Sequence, residues 1–371
     1  MTIQLVAEVA RVAPSTVSRV LNGGYVSAPA RARVTRAVQE LNYRPSFAAR
    51  SLKAGRCGRI GVVCTTSQTP WFLQILAGVE DRLAATHQSV LLASLVLNGV
   101  YDPSAVAEWI RSRRIDGLIF VRYTPEEQPL RSAAEAARLP VVLVAPDVPV
   151  PAQSVIRCDN VQAGRLIAQH LLQLGHRDIA FLRGPRESMD ARERVLGVRE
   201  TLARSGVRLW DEEIPTDPGA PKSNLEFHYD SVALDMLGRS LDRRPTAVVL
   251  ANDDNALSLM RAVLQRGLRI PEDLSVAGFD DIPLSGTYWP GLTTVAQPSQ
   301  AMGRAACQAL LDSMEGKSAD EVADVQYGVE LMVRESTAPP PGAPRSELDR
   351  RDRSSEASYS CDRGLLFRAS S

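Results

Sequence analysis

From residue 59 onward the chain alternates short, largely apolar runs with longer segments whose apolar residues recur every three or four positions. The short runs (60–64, 90–96, 115–121, 141–144, 178–182, 247–251 and 274–279) have no polar face, so both sides of each strand need cover. Between them the spacing predicts helices over 71–86, 103–113, 126–138, 161–174, 191–205, 231–241 and 255–266. Doubly covered strands joined through helices are parallel, because a parallel neighbour is reached by a crossover. Two such series predict an α/β body of two parallel-sheet lobes, closed by a helix over 302–311 and a last strand over 331–333. In open sheets of this kind ligands bind in a cleft at the strand C-termini.

The residues that follow those strands are therefore the candidates. Ala251-Asn252-Asp253-Asp254 follows one buried run and Gly278-Phe279-Asp280-Asp281 another. Arg192 and Arg194 open a helix after the Gly184-Pro185 turn, and Trp71 and Phe72 follow the first strand. Carboxylate, amide and guanidinium groups beside aromatic plates suit sugars and other polar rings. An Asp just past a strand also caps the next helix, and that is the role expected of Asp253 and Asp281. His176, before a strand in LGHRDIA, fits a structural turn residue better than a ligand or base. No GxGxxG follows a strand, and no GxxxxGK[ST], GxSxG or HExxH occurs, so no catalytic residue, metal or cofactor is expected. Five cysteines, far apart and without a CxxC pair, fit a reducing cytoplasm. No run approaches the ~18 apolar residues of a membrane span, and MTIQLVAEVA lacks the basic start of a signal peptide.

The first 56 residues have a different character. The whole chain balances 43 basic against 43 acidic side chains, yet through Arg56 nine basic residues face two acidic ones, giving +7 there and −7 in the remainder. That asymmetry suggests two jobs in one polypeptide. A helix is expected over 3–11, capped by Thr2, with Val6, Val9 and Ala10 on one face. A second starts at Pro14, burying Val17, Val20 and Leu21 and turning Ser15, Thr16, Ser18, Arg19 and Asn22 outward. A third, over 30–41, buries Val34, Ala37, Val38 and Leu41. Two short helices, a tight turn and a packing helix make a helix-turn-helix, though the geometry also fits any small three-helix module. The small polar donors, Arg and Asn of the second helix are residue types that meet base edges. Pro45 then starts a short helix over 46–53, capped by Ser46. Eight residues are too few to hold a helix alone in water, so something must support it.

The segments VAEVARVAPSTVSRVLNG and VS…ARVTRAVQELNYRPSFAARSLK resemble the DNA-binding end of the lactose-repressor family of bacterial transcription factors, almost without a gap from residue 2 to 53. The resemblance implies that Pro14, Ser15 and Arg19 meet major-groove base edges. It puts Thr16, Ser18, Asn22 and Ser27 at backbone-contacting positions and Tyr43 and Ser46 at the entry to a hinge. It also implies that hinge helices of two subunits pair in the minor groove, with Leu52 wedged between base pairs and Lys53 beside it. Such a wedge trades unstacking for contacts with bent DNA; the alternative is a linker residue packed on the next domain. Three positions depart from the family pattern. Arg11 replaces the turn glycine, costing on the order of 1 kcal/mol at φ > 0. Ala13 replaces a capping serine, at about 0.5–2 kcal/mol, and Leu5 replaces a common aspartate. In the body, DNVQAG, ARERVLGV, VVLANDDNALSLMRAV, LSVAGFDDIPLS and GLTTVAQP also resemble the family. The resemblance turns Arg194, Asn252 and Asp280 toward an effector and puts Thr65, Trp71, Phe72 and Phe227 at or near other pocket positions. Ala145-Pro146 stand where an aspartate is frequent, and Val121 where some sugar-responsive members are polar.

The expected division is a helix-turn-helix domain over 1–44, a hinge over 45–56, an effector-binding and dimerisation body over 57–337, and a disordered tail over 338–371. Within the body the N-lobe is expected over about 57–157 and 289–318, and the C-lobe over about 158–288 and 319–337. The function expected is that of a cytoplasmic transcription regulator, a repressor. A homodimer would bind double-stranded operator DNA under control of a sugar or related ring compound. A transporter's solute-binding receptor would share the body, and a doubly wound enzyme its topology; the head, the hinge and the missing nucleotide and nucleophile motifs disfavour both.

Overall fold

The computed structural model describes residues 2–21, 23–43, 56–65, 69–86, 88–97, 100–150, 155–183, 188–213, 244–317 and 325–342. The hinge over 46–53, the helix over 231–241, and Asn22, Ser46, Leu52, Lys53 and Phe227 lie outside the described residues.

The head consists of α1 (Ile3–Ala10), α2 (Pro14–Leu21) and α3 (Ala28–Glu40). Thr2 caps α1, its hydroxyl accepting from the Leu5 amide at 3.3 Å. Arg11 ends the helix in the left-handed region (φ 51°, ψ 52°), the conformation its position requires of a residue other than glycine. Val6, Ala7, Ala10, Val17, Val34, Ala37 and Tyr43 form the core. Val9 does not join it: it is 46% exposed, and Ala7 takes the place expected for it.

Among the described residues the body is built on two six-stranded sheets. The first holds β1 (Arg59–Cys64), β2 (Ser89–Ser94), β5 (Gly117–Val121), β6 (Val141–Val144), β7 (Val155–Cys158) and β13 (Val325–Tyr327), in the order β13-β7-β6-β5-β1-β2, all parallel. The run expected over 90–96 ends at Ser94, and a small hairpin of β3 (Val96–Leu97) and β4 (Val100–Tyr101) follows. The second sheet holds β8 (Asp178–Arg183), β9 (Arg208–Glu213), β10 (Ala247–Leu250), β11 (Ser275–Asp280), β12 (Thr293–Ala296) and β14 (Glu330–Met332). Its order is β14-β12-β11-β10-β8-β9, parallel except for β14 against β12. Alternate residues feed opposite faces: in β5, Ile119 and Val121 join one core while Leu118 and Phe120 join another.

Among the described residues eight further α-helices cover the sheets: α4 (Pro70–Leu83), α5 (Ser104–Arg111), α6 (Gln128–Ala136), α7 (Asn160–Gln173), α8 (Met189–Arg204), α9 (Asp253–Gln265), α10 (Pro283–Thr287) and α11 (Ser299–Met314). Two helix pairs touch backbone to backbone through glycine. A Cβ on Gly78 of α4 would lie 2.0 Å from the Gln300 carbonyl of α11, and one on Gly197 of α8 would lie 2.0 Å from the Val161 carbonyl of α7.

The strand pairing corrects the expected lobe limits. β12, placed by the sequence in the N-lobe stretch 289–318, pairs with β11 in the C-lobe sheet. β13, placed in the C-lobe stretch 319–337, pairs with β7 in the N-lobe sheet. The chain thus crosses between lobes after β7, after β12 and after β13, because each sheet completes itself with a strand borrowed from across the junction. The tail is also fixed at its start, since the Ala338 carbonyl accepts from His176 Nε2 at 2.8 Å and from the Ser275 hydroxyl at 3.1 Å.

Candidate functional sites: the helical head and the inter-lobe cleft

In the head, Pro14 opens α2, and the amides of Thr16 and Val17 turn back to the Ala13 carbonyl at 2.9 and 3.3 Å. Ala13 thus contributes only its backbone to the helix start. Pro14, Ser15 and Arg19 are exposed and Thr16 and Ser18 half-buried, so α2 presents a polar strip opposite Val17. Ser27 stands exposed at the start of α3, without a side-chain capping bond. Tyr43, expected at the entry to the hinge, is 8% exposed and packs with Val6, Val34 and Ala37 in the core of the head.

In the body, Arg194 and Asp280 meet at the C-lobe strand ends. Asp280 closes β11 at φ 122°, a region side chains rarely adopt. Its Oδ1 accepts from Gln297 Nε2 at 2.5 Å and lies 3.5 Å from Arg194 Nη1. Arg194 Nε donates to Asn160 Oδ1 at 2.8 Å, Nη1 donates to the Ala251 carbonyl at 2.5 Å, and the guanidinium covers the Phe279 ring at 5.0 Å. The Asn160 amide passes the chain on to Asp190 at 2.9 Å and Glu193 at 3.4 Å, while the Cys158 thiol donates to Gln297 Oε1 at 3.1 Å. Burial pushes the Asp280 carboxyl well above the usual carboxylate range, with Arg194 opposing, and burial likewise raises Asp190.

Asn252, expected to face an effector, takes the capping role expected of Asp253. Asn252 caps α9, its Oδ1 accepting from the Asn255 amide at 2.9 Å. Asp253, expected to cap, is fully buried and accepts from the Ile282 amide at 3.1 Å and the Ser285 and Thr294 hydroxyls at 2.7 and 2.5 Å. Asp281 caps nothing: it pairs with Arg334 at 2.5 Å, and its carbonyl accepts from Gln74 of α4 at 3.3 Å, across the cleft.

The N-lobe wall is sparser. Thr65 is half-buried, its hydroxyl 3.5 Å from the Arg122 carbonyl. Trp71 is 7% exposed and its indole N–H has no hydrogen-bond partner. Phe72 is fully buried in the core, which removes it from the pocket surface. Sequence reasoning missed Asn160, Gln297, Arg122, Asp147 and Asp190. The first two flank the points where the chain changes lobes, a signal that no local pattern carries.

His176 is structural: fully buried, it spans the Thr246 hydroxyl and the Ala338 carbonyl at 2.8 Å each. Among the described residues no group of three His, Cys, Asp or Glu side chains could hold a metal ion, and no helix is long and apolar enough to cross a membrane.

Residues 2–46 match a family described as bacterial regulatory proteins, lacI family, and residues 168–337 match a periplasmic binding protein-like domain. The chain is 31% identical over 336 residues to the HTH-type transcriptional repressor PurR of Pasteurella multocida, covering 90% of this chain and 98% of that protein. It superposes on the lac repressor dimer bound to operator and the anti-inducer ONPF with a TM-score of 0.75 at 30% identity, over 91% of this chain and 99% of that one. On a complex of the transcriptional regulator CelR with cellobiose the TM-score is 0.61 at 28% identity, with the same coverage.

Proposed function

The chain belongs to the lacI family of bacterial regulatory proteins, and on that premise we propose that it is a sequence-specific DNA-binding repressor. Its operator affinity is set by a small molecule, a sugar or sugar derivative, held between the two lobes. The head binds operator DNA through Pro14, Ser15, Thr16, Ser18 and Arg19 of α2 and Ser27 of α3, joined by Asn22, Ser46, Leu52 and Lys53. It acts in the cytoplasm as a homodimer, and exposed Leu73, Leu92, Leu284 and Trp289 give the two copies apolar surface to bury.

The observation that carries the effector reading is the buried Arg194–Asp280 pair at the strand ends, 3.5 Å apart. A buried ion pair adds little net stability, because desolvation offsets its attraction. Its place at the cleft, with Asp280 in a strained backbone conformation, fits polar groups kept for a ligand. Asn252, Thr65 and Trp71 complete the wall, and the indole N–H of Trp71 suits a ligand acceptor. A ligand favouring one lobe geometry shifts its population and, through the paired hinges, the operator affinity.

A thermal-shift screen of sugars, sugar phosphates and purines identifies the ligand, and an operator titration with and without it then tests the site. Asp280→Ala should abolish the ligand response and leave operator binding in place. Loss of operator binding by a folded Asp280→Ala protein sinks the pocket assignment.

A further inference from the structure

We propose that Arg122, Asp147 and Ser188 tie the two lobes together without any ligand, and so set the open–closed balance of the cleft. Asp147, just past β6, divides its carboxylate between the lobes. Oδ2 takes both Arg122 nitrogens, Nη2 at 2.8 Å and Nε at 3.3 Å, within the N-lobe. Oδ1 accepts from the Ser188 hydroxyl at 3.4 Å, in the C-lobe. The carboxylate is held in place from behind, since the Asp147 amide donates to the Tyr123 carbonyl at 2.8 Å and the Arg122 amide to the Val144 carbonyl at 2.9 Å.

Ser188 is no bystander on the far side. It caps α8, its hydroxyl accepting from the Ala191 amide at 3.4 Å, and α8 carries Asp190 and Arg194. The tie therefore grips the helix that holds the effector anchor. Arg122 is stabilised as a cation first by Asp147 and then by Asp190 and Asp280 of the opposite lobe, so it lies in the field of carboxylates from both walls. Val121, which ends β5, and Ala145, which follows β6, offer no polar side chain, and Arg122 with Asp147 fills that deficit. The Gln74 bond to the Asp281 carbonyl is a second, uncharged bridge between the lobes.

The strength is modest. The lobes are joined here by one 3.4 Å hydroxyl–carboxylate bond, its carboxylate oriented by a partly exposed ion pair, and contacts of that kind shift an equilibrium about two- to fivefold, not hundredfold. That is what a displaceable tie requires, because a bound small molecule can then outweigh it.

The test reads lobe separation directly on the full chain. Spin labels are placed at Ser112→Cys and Ser205→Cys, both exposed, with Cys57 and Cys361 changed to serine. The labelled protein is diluted with unlabelled protein so that only distances within one chain are measured. Asp147→Asn and Arg122→Gln should each lower the closed-to-open ratio about two- to fivefold, and Ser188→Ala, which removes the direct bond between the lobes, should do so at least as strongly. The double variant Arg122→Gln/Asp147→Asn should open the cleft no further than the stronger single one. Distance distributions identical to the parent in both Asp147→Asn and Arg122→Gln, with both folded by thermal melting, would overturn the tie. The readout needs neither DNA nor ligand. Opening without a change in operator affinity would leave the tie standing and count instead against the regulatory reading above.

Discussion

The structure decides the sign of Gly197→Ala. In an exposed helix, alanine for glycine is worth about 0.5–1 kcal/mol of added stability. Here the new methyl would lie 2.0 Å from the Val161 carbonyl oxygen and 3.0 Å from the Arg165 amide nitrogen, both backbone atoms of α7. Neither can rotate aside as a side chain could, so α7 and α8 must separate. Overpacking of this kind costs about 1–3 kcal/mol, and a backbone obstacle places it at the upper end, for a net loss of about 2 kcal/mol. The separation has a functional consequence, because Asn160 begins α7 and Arg194 lies on α8, joined at 2.8 Å. Urea unfolding should show a lower midpoint, and the thermal shift produced by the effector should shrink. Gly164→Ala meets the Arg194 carbonyl at 2.0 Å in the same contact, so the double variant should cost less than the two singles combined. A stability equal to or above the parent for Gly197→Ala would refute the close-packing argument.

Two further outcomes follow from buried polar groups. His176 is buried and its pKa is lowered to about 4, chiefly by desolvation. A depressed histidine contributes stability that is complete above the unfolded value near 6.5 and falls as pH drops toward 4. Acid should therefore remove about 3 kcal/mol over that window, and denaturant melts of His176→Gln should show a flatter pH profile. Asp253→Ala leaves the Ile282 amide and two hydroxyls without their acceptor, which should cost about 3 kcal/mol or more. A calorimetric Tm unchanged from the parent would contradict that.

What the sequence made legible was what local chemistry controls. The parallel strands follow from runs such as Gly117–Val121, buried at every position, and the left-handed turn at Arg11 followed from the residue expected there. The junction was not legible. β12 and β13 were assigned to the wrong lobes because strand partnership across a crossing depends on which sheet lacks an edge, and neither segment's composition encodes that. That Asn252 and not Asp253 caps α9 has a similar cause. Both suit a cap, and the choice fell to Thr294, Ser285 and the Ile282 amide, which only tertiary structure delivers to Asp253. Gly278 belongs to the same arrangement, since a Cβ there would lie 2.4 Å from Asp253 Oδ1.

The zero net charge of the chain hides a division that the structure makes physical. In the body, arginines are matched to carboxylates: Arg194 to Asp280, Arg122 to Asp147, Arg334 to Asp281, Arg165 to Glu200. In the head, Arg31 and Arg33 donate to the Gly24 and Ala10 carbonyls, which orient them without cancelling their charge. The head therefore keeps its positive field while the acidic body repels phosphate. The salt dependence of operator binding should accordingly count the head's phosphate contacts, at about 0.9 in the log–log slope for each. Arg204→Gln, an exposed change in the body, should leave that slope where it was. Removing a head arginine that meets a phosphate should lower it by about one. A slope that followed the charge of the whole chain, responding to Arg204→Gln as much as to a change in the head, would mean that the body also touches DNA, and the division of labour drawn from the charges would fall.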